Sequence, residues 1–363
     1  MNRCRKGLIV AGSLTAFAIG GASGAAATTA TGGPGAACPS APLPPGMANM
    51  PPIPMATSIR PSDTSTSTVI KPDPADQIDC GRVALKTVSN VTFARVPGPG
   101  GQPRDLDFDL VAPAAAGKYP LVVYITGGGF VIAPKENGLN LRTYVAESGF
   151  VVASIQYRTA MDGANFRDGI ADVKSAIRFL RAHAADYGID PARVAVWGES
   201  AGGYLAAMTG VTNGVKSFDQ GDNLDQSSDV QAVVDKFGTV DTQNVAEDFN
   251  PEMAGMVAPM APIGRYMTAD GVPFPPDSNP LTYVKRSSPP FLIFSGNQDR
   301  IVSPSQTLRL HNALRAAGAP STRYVLDGAG HGDLAFAGDP NAGLPWSSKQ
   351  TMGIIVRFLH EPK

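Results

Sequence analysis

The strongest structural signal in the chain is the stretch Arg193-Val-Ala-Val-Trp-Gly-Glu-Ser-Ala-Gly-Gly-Tyr-Leu-Ala-Ala-Met208. It begins with an apolar run typical of a buried strand, turns through Gly-Glu-Ser-Ala-Gly, and ends in helix-forming residues. Between a strand and a helix, a Gly-x-Ser-x-Gly motif places its serine on a sharp turn with the hydroxyl clear of the backbone. The two glycines let the strand and the helix approach each other closely. We therefore predict that Ser200 is a nucleophile rather than a structural serine in a turn.

Predicted strands and helices alternate on both sides of this motif. Such alternation predicts an α/β fold with a mostly parallel central sheet and helices on both faces. Two earlier strands, at 83–96 and 104–111, are joined by a Pro-Gly turn and predict an antiparallel hairpin at the sheet edge. The later strands are expected at 121–125, 150–156, 194–197, 230–237, 291–294 and 322–326, and the helices at 139–147, 166–187, 305–317 and 346–360.

Composition excludes several functional classes. The chain has 363 residues, 43% of them hydrophobic, which suffices for one large α/β domain. A net charge of -1 without an extended basic run indicates no nucleic-acid partner. With four histidines, no Cys-x-x-Cys and no phosphate-loop pattern at 127–129, we expect neither a metal site nor a cofactor.

The N-terminus has the pattern of a secretory signal peptide over residues 1–27. Three basic residues among the first six precede a short apolar run at 8–19, and small residues follow, with cleavage expected after Gly24 or Ala27. The apolar run is too short to span a bilayer, so we expect no stable membrane span. The pattern predicts a secreted or periplasmic protein.

Residues 28–80 are rich in Pro, Gly, Ser and Thr, whereas the catalytic domain is expected over 81–363. A segment of this composition buries little apolar surface, so it is interpreted as a linker or loosely attached arm. Its cysteines, Cys38 and Cys80, either pair in a disulfide or remain as two free thiols. Export to an oxidising compartment favours the disulfide.

Residues 241–283 interrupt the alternation of strands and helices. The region is rich in Pro and Met, and long connections in compact domains are often lids or binding loops. One interpretation is a small cap insertion with an adaptable apolar wall over the serine. The other is an irregular connection whose methionines fill gaps; those methionines are Met253, Met256, Met260 and Met267.

A serine nucleophile needs a base and an acid to orient that base. His331 lies after the last predicted strand in Gly-Ala-Gly-His-Gly, and Asp299 follows the strand at 291–294. The order Ser200, Asp299, His331 is typical of the α/β hydrolases. Asp327 and Asp333 are competing candidates for the acid. The backbone N–H of Ala201, directly after the serine, is expected to face a developing oxyanion.

Four blocks of the sequence resemble the α/β-hydrolase superfamily. They are 123–130, 168–203, 230–238, and 288–302 together with 328–332. More narrowly, they resemble the exported esterases that include feruloyl and acetylxylan esterases, with kinship to hormone-sensitive-lipase-like enzymes and type-B carboxylesterases. Two positions depart from the common pattern: Thr126 stands where a His often precedes the glycine triplet, and Ser295 stands where His-Gly often precedes the acid.

The resemblance implies a serine hydrolase that cleaves carboxylic esters through an acyl-enzyme intermediate. It also implies that Gly128 and Gly129 complete an oxyanion hole with Ala201. The expected substrate is a small-molecule or polysaccharide-linked ester. Two alternatives remain: a peptidase of the same superfamily, and a non-catalytic binding protein on a hydrolase scaffold.

Overall fold

The centre of the molecule is a nine-stranded sheet. Across the sheet the strands follow the order β1-β9-β8-β7-β6-β4-β5-β3-β2. They are parallel from β1 to β5, while β3 and β2 complete the edge as an antiparallel hairpin. The predicted α/β fold class is therefore confirmed. The strands are β1 (Thr68–Ile70), β2 (Leu85–Pro97), β3 (Pro103–Pro113), β4 (Tyr119–Ile125), β5 (Val151–Ile155), β6 (Ile189–Glu199), β7 (Ala232–Lys236), β8 (Phe291–Gly296) and β9 (Ser321–Leu326).

The structure is a computed structural model. It describes residues 33, 35–41, 55–59, 61–244, 255, 258, 261–332 and 344–361. The predicted signal peptide lies outside the described residues. Within the described ranges, no helix is both long enough and apolar enough to cross a membrane.

Alternate residues of each strand point to opposite sides of the sheet, so both faces need covering. In the described part of the chain, five helices longer than eight residues cover them. In β4, for example, Val123 belongs to one buried core cluster and Val122 to the other. Helices α2, α3 and α4 contribute to the first cluster, and α1 and α5 to the second. The helices are α1 (Leu139–Glu147), α2 (Phe166–Ala182), α3 (Ala201–Val211), α4 (Pro304–Ala316) and α5 (Lys349–His360).

The long helix predicted over 166–187 is split in the structure. Helix α2 begins at a capping box formed by Asn165 and Asp168, and it ends at His183. A separate short helix, Ala184–Tyr187, follows and is terminated by Gly188 at a φ of 72°. The apolar spacing predicted the buried face correctly, but it carries no information about the break, which comes from the backbone at His183.

The described part of the N-terminal segment 28–80 is joined firmly to the domain, unlike the loosely attached arm expected from composition. Strand β1 adds to the sheet edge by parallel pairing with β9, and Ile78 is buried. The predicted disulfide between Cys38 and Cys80 is present. Composition missed these attachments because backbone pairing at a sheet edge and a covalent bridge require no apolar periodicity.

The described part of the predicted cap region packs on α2 and α3. Tyr266, in the short helix Pro262–Tyr266, is fully buried, and the Ser278 carbonyl accepts a hydrogen bond of 2.8 Å from the Tyr204 hydroxyl. Met267 is buried in the first core cluster, whereas Met253, Met256 and Met260 lie outside the described residues. The role of residues 241–283 as a cap stays a prediction.

Candidate active site

Ser200 occupies the turn between β6 and α3 in a strained backbone conformation, with φ 55° and ψ −119°. A positive φ is uncommon for a residue with a side chain and needs support from its surroundings. That support is close backbone packing. A Cβ at Gly198 would overlap the carbonyl of Gly202, and a Cβ at Gly202 would overlap the carbonyl of Ile125. The Ser200 N–H also donates to the Lys236 carbonyl at 2.9 Å.

The sheet topology brings Asp299 and His331 to Ser200. Strands β6, β8 and β9 are parallel, so the turns at their carboxyl ends lie at one edge of the sheet, where α/β ligand sites form. The His331 Nε2 lies 2.8 Å from the Ser200 Oγ. The His331 Nδ1 lies 2.7 Å from the Asp299 Oδ2. The three residues proposed from the sequence therefore form one continuous hydrogen-bonded chain.

Asp299 is held in place by its second oxygen. The Asp299 Oδ1 accepts hydrogen bonds of 2.9 Å from the N–H groups of Ile301 and Val302. This grip orients the carboxylate toward His331 Nδ1, which leaves Nε2 free to accept the serine proton. Of the competing acids, Asp327 instead accepts from the Asn297 amide at 2.7 Å, and Asp333 lies outside the described residues.

The glycine triplet lies beside the serine. A Cβ at Gly127 would come within 3.2 Å of the Ser200 Cβ. Gly128 and Gly129 adopt positive φ values of 149° and 59°, which favour glycine. Within the described part of the chain, no residue accepts a hydrogen bond from the N–H groups of Gly128, Gly129 or Ala201. Three backbone donors next to the hydroxyl thus remain available to a ligand.

Thr126 shapes this loop from inside the protein. Its side chain is buried and donates to the Gly127 carbonyl at 3.2 Å. The Thr126 carbonyl in turn accepts a hydrogen bond of 3.1 Å from the hydroxyl of Tyr157. Burial raises the pKa of Tyr157 well above its usual value, so the hydroxyl stays protonated and remains a donor. Sequence reasoning missed Tyr157, because nothing in its local pattern links it to the loop.

The aromatic side chains near the serine are packed against one another and against His331. Phe130 and Tyr204 are buried, and Phe130 stacks on Tyr266 with a centroid separation of 4.7 Å. The buried Phe237 lies with its ring centroid 4.7 Å from that of His331. Phe237 therefore supports the imidazole rather than lining an open surface.

Two acids lie near the serine, the half-buried Glu199 and the fully buried Asp235. Glu199 accepts a hydrogen bond of 2.6 Å from the Lys236 ammonium. The Asp235 Oδ1 accepts a hydrogen bond of 3.0 Å from the Gly238 N–H, and the Oδ2 has no partner among the described residues. Burial raises the pKa of Asp235 to about 7, only partly opposed by the hydrogen bond from the Gly238 N–H and by the charge of Arg323. Within the described ranges, no group of three His, Cys, Asp or Glu side chains could hold a metal ion.

Comparison with known proteins identifies the family to which the chain belongs. The chain is 30% identical over 248 residues to a probable isoprenylcysteine alpha-carbonyl methylesterase, ICMEL1, of Arabidopsis thaliana, covering 67% of this chain and 52% of that protein. It is thus similar to about half the length of the curated relatives it matches.

Among solved structures, it resembles a truncated carbohydrate esterase from gut microbiota with a TM-score of 0.61 and 26% identity, covering 80% of this chain and 98% of that one. It also resembles Thermogutta terrifontis esterase 2 phosphonylated by sarin, with a TM-score of 0.61 and 25% identity over 74% of this chain and 93% of that one. The model of the BD-FAE family matches residues 108–314, which is more than half of the chain. The chain therefore belongs to the BD-FAE family and has the α/β-hydrolase fold.

Proposed function

We propose that the protein is a serine esterase that hydrolyses carboxylic esters through an acyl-enzyme intermediate. The observation that carries this proposal is the hydrogen-bonded chain from Ser200 through His331 to Asp299, beside three unused backbone N–H groups. The family and the esterases among its relatives support it. Sarin, which phosphonylates one structural neighbour, reacts with activated hydroxyl groups.

Acylation follows from this geometry. The Ser200 Oγ attacks the ester carbonyl carbon while its proton passes to His331 Nε2, 2.8 Å away. Asp299, bonded to Nδ1, stabilises the imidazolium that forms. The carbonyl oxygen becomes an oxyanion and is bound by the N–H groups of Gly128, Gly129 and Ala201. When the intermediate collapses, the C–O bond to the alcohol breaks and His331 returns the proton to the departing oxygen.

Deacylation repeats the same steps with water. His331 removes a proton from the water molecule, whose oxygen attacks the acyl carbon of the ester on Ser200. The second oxyanion is stabilised by the same donors. Its collapse releases the carboxylic acid, and the proton on His331 returns to the Ser200 Oγ. The chain supplies every group that these steps need, and no cofactor takes part.

The proposed substrate is a small-molecule or polysaccharide-linked ester. The resemblance to a carbohydrate esterase favours the second, and the methylesterase relative favours small alcohol groups. Hydrolysis of p-nitrophenyl esters of increasing chain length, measured beside aromatic and acetylated-sugar esters, distinguishes them. A preference for acetylated xylan or feruloylated sugars over p-nitrophenyl acetate supports the polysaccharide-linked class, and the reverse preference supports the small-molecule class.

The esterase proposal is tested with a fluorophosphonate probe and with p-nitrophenyl acetate. The wild-type protein should be labelled and active, whereas Ser200→Ala should show neither property. The control is Ser148→Ala, since that hydroxyl donates to the Tyr144 carbonyl at the end of α1. Labelling that persists in Ser200→Ala, or hydrolysis close to the wild-type rate, contradicts the assignment.

We also propose export with removal of residues 1–27. The disulfide between Cys38 and Cys80 supports this, because such bridges persist in oxidising compartments. The mature protein from its native host should begin near residue 25 or 28 and show no free thiol when denatured without reductant. An intact N-terminus on protein recovered from the cytoplasm, with two titratable thiols, contradicts the proposal.

A further inference from the structure

The loop that carries His331 is held by the side chain of Trp346. The indole N–H of Trp346 donates to the carbonyl of Gly330 at 3.2 Å, across 16 residues of sequence. The Trp346 ring packs edge-on against Phe237, with centroids 4.7 Å apart, and Phe237 contacts the imidazole. The Trp346 side chain therefore bonds to the backbone of the histidine loop, and it supports the histidine ring through Phe237.

This packing leaves the histidine loop little freedom. A Cβ at Gly332 would come within 2.6 Å of the Phe237 ring, so the loop lies directly on that ring. Phe237 itself has a φ of 46°, which a phenylalanine adopts only when its surroundings impose it. Trp346 is 2% exposed and cannot move without displacing these neighbours.

Trp346 is in turn fixed by a buried cation. The Lys236 ammonium lies 5.1 Å from the Trp346 ring centroid and 5.7 Å from that of Trp197. Its charge is paired with Glu199, the residue before Ser200, at 2.6 Å. A desolvated cation over an indole ring is a favourable contact. Through Lys236, the turn that holds Ser200 and the loop that holds His331 share one packed cluster.

The N-terminal segment fixes Trp346 from the other side. The N–H of Ile78 donates to the Ser347 carbonyl at 3.0 Å. The side chain of Gln77 donates to the Leu344 carbonyl at 2.9 Å and accepts from the Ser347 hydroxyl at 2.6 Å. These bonds fix the backbone on both sides of Trp346, in the 3-10 turn Leu344–Ser347.

We infer that Trp346 is a positioning residue that sets the distance between His331 and Ser200 through its hydrogen bond to Gly330. The inference rests on the proposed function, because a positioned base matters only if the serine is a nucleophile. Trp346 is 2% exposed, and in the described part of the chain its side chain contacts Gly330, Phe237 and Lys236 rather than Ser200. Its loss should therefore reduce proton transfer and leave substrate binding unchanged.

The test compares Trp346→Phe with Trp197→Phe, since the chain has only these two tryptophans. Both are buried under Lys236, but the Trp197 N–H has no partner among the described residues. Trp346→Phe should lower kcat about tenfold with KM nearly unchanged, as expected for a lost hydrogen bond and a misplaced base. The rate of fluorophosphonate labelling should fall by the same factor. Trp197→Phe should lower Tm comparably but change kcat much less.

A second measurement removes only the N–H. In the Trp197→Phe background, the remaining tryptophan is replaced biosynthetically by 3-benzothienylalanine, which keeps the ring shape and lacks the donor. This protein should reproduce the loss seen in Trp346→Phe, and it gives a reading even if Trp346→Phe fails to fold. Full kcat in the analogue, or equal kcat in the two phenylalanine variants, overturns the inference. If wild-type protein is not labelled by the fluorophosphonate at all, the proposed function fails instead.

Discussion

The turn that holds Ser200 and the loop that holds His331 are fixed by different means. Ser200 is held by backbone in contact with backbone, at positions where Gly198 and Gly202 leave no room for a side chain. The loop of His331 also meets backbone, since a Cβ at Gly296 would overlap the Ala329 carbonyl, but the histidine itself depends on two side chains distant in sequence, Phe237 and Trp346. Backbone packing of this kind tolerates no added atom, whereas contacts between side chains can be lost one at a time as each side chain is replaced. The two halves of the site should therefore respond differently to substitution.

The sharpest way to expose this difference is a matched pair of glycine substitutions. Gly202→Ala adds a methyl group that overlaps the Ile125 carbonyl. The variant should either fail to fold or lose about 100-fold or more in kcat. Gly328→Ala, in the histidine loop, meets no atom of the described residues within 4 Å, so its cost is the strain of a φ of 82°, about 1 kcal/mol. Soluble yield, Tm and kcat are measured for both. Equal damage would contradict the distinction.

The oxyanion loop provides the next largest effect. Gly128→Val forces a side chain against the Ile132 carbonyl at a φ of 149° and should displace a donor, costing about 100- to 1000-fold in kcat. Thr126→Ala removes only a hydroxyl bonded to the Gly127 carbonyl and should cost little. The measurement is kcat at matched folded fraction. If Thr126→Ala is as damaging as Gly128→Val, the hydroxyl has a direct role.

Removing the disulfide tests the support on the histidine side. Cys38→Ser with Cys80→Ser opens a bridge across 42 residues of sequence, which should cost about 3–4 kcal/mol of unfolding free energy. The contacts from Gln77 and Ile78 to the turn of Trp346 remain, so kcat at 25 °C should change little. Urea unfolding and kcat are measured side by side. A large fall in kcat with unchanged stability would contradict this separation.

The smallest expected effect concerns Asp235, which lies against Gly203 in the first turn of α3. Its pKa is raised by burial from 3.8 to about 7 in the folded protein. Between these pH values the unfolded chain loses this proton while the folded protein keeps it, so the contribution of Asp235 to stability falls as pH rises, and then levels off. Asp235→Asn stays neutral and keeps an acceptor for the Gly238 N–H.

The advantage of Asp235→Asn over wild type in Tm should therefore grow between about pH 4.5 and pH 7.5. The pH dependence of Tm for both proteins is the measurement, with Asp327→Asn as the control, since that acid is partly exposed and pairs with the exposed Lys71. A difference in Tm between Asp235→Asn and wild type that is constant across this range would show that Asp235 does not titrate there.

Local patterns in the sequence predicted much of the site. The serine turn and the alternation of strands and helices depend on local sequence, whereas the order of Asp299 and His331 follows the pattern of the α/β hydrolases. The structure brings these three residues together. The supports Tyr157 and Trp346 were not predicted, because each acts on a segment far away in sequence. Edge pairing of β1 was missed for the same reason.

The pairing of Thr68 with Tyr324 also has a consequence for how the chain is made. Strand β1 leaves the ribosome about 250 residues before its partner, a wait of roughly 10–50 s at ordinary rates of synthesis. An unpaired strand is a template for aggregation during that interval. Strand β1 has only three residues, and the Pro-, Ser- and Thr-rich sequence around it gives other chains little to adhere to. The composition that concealed this segment's place in the fold is suited to keeping it soluble until β9 exists.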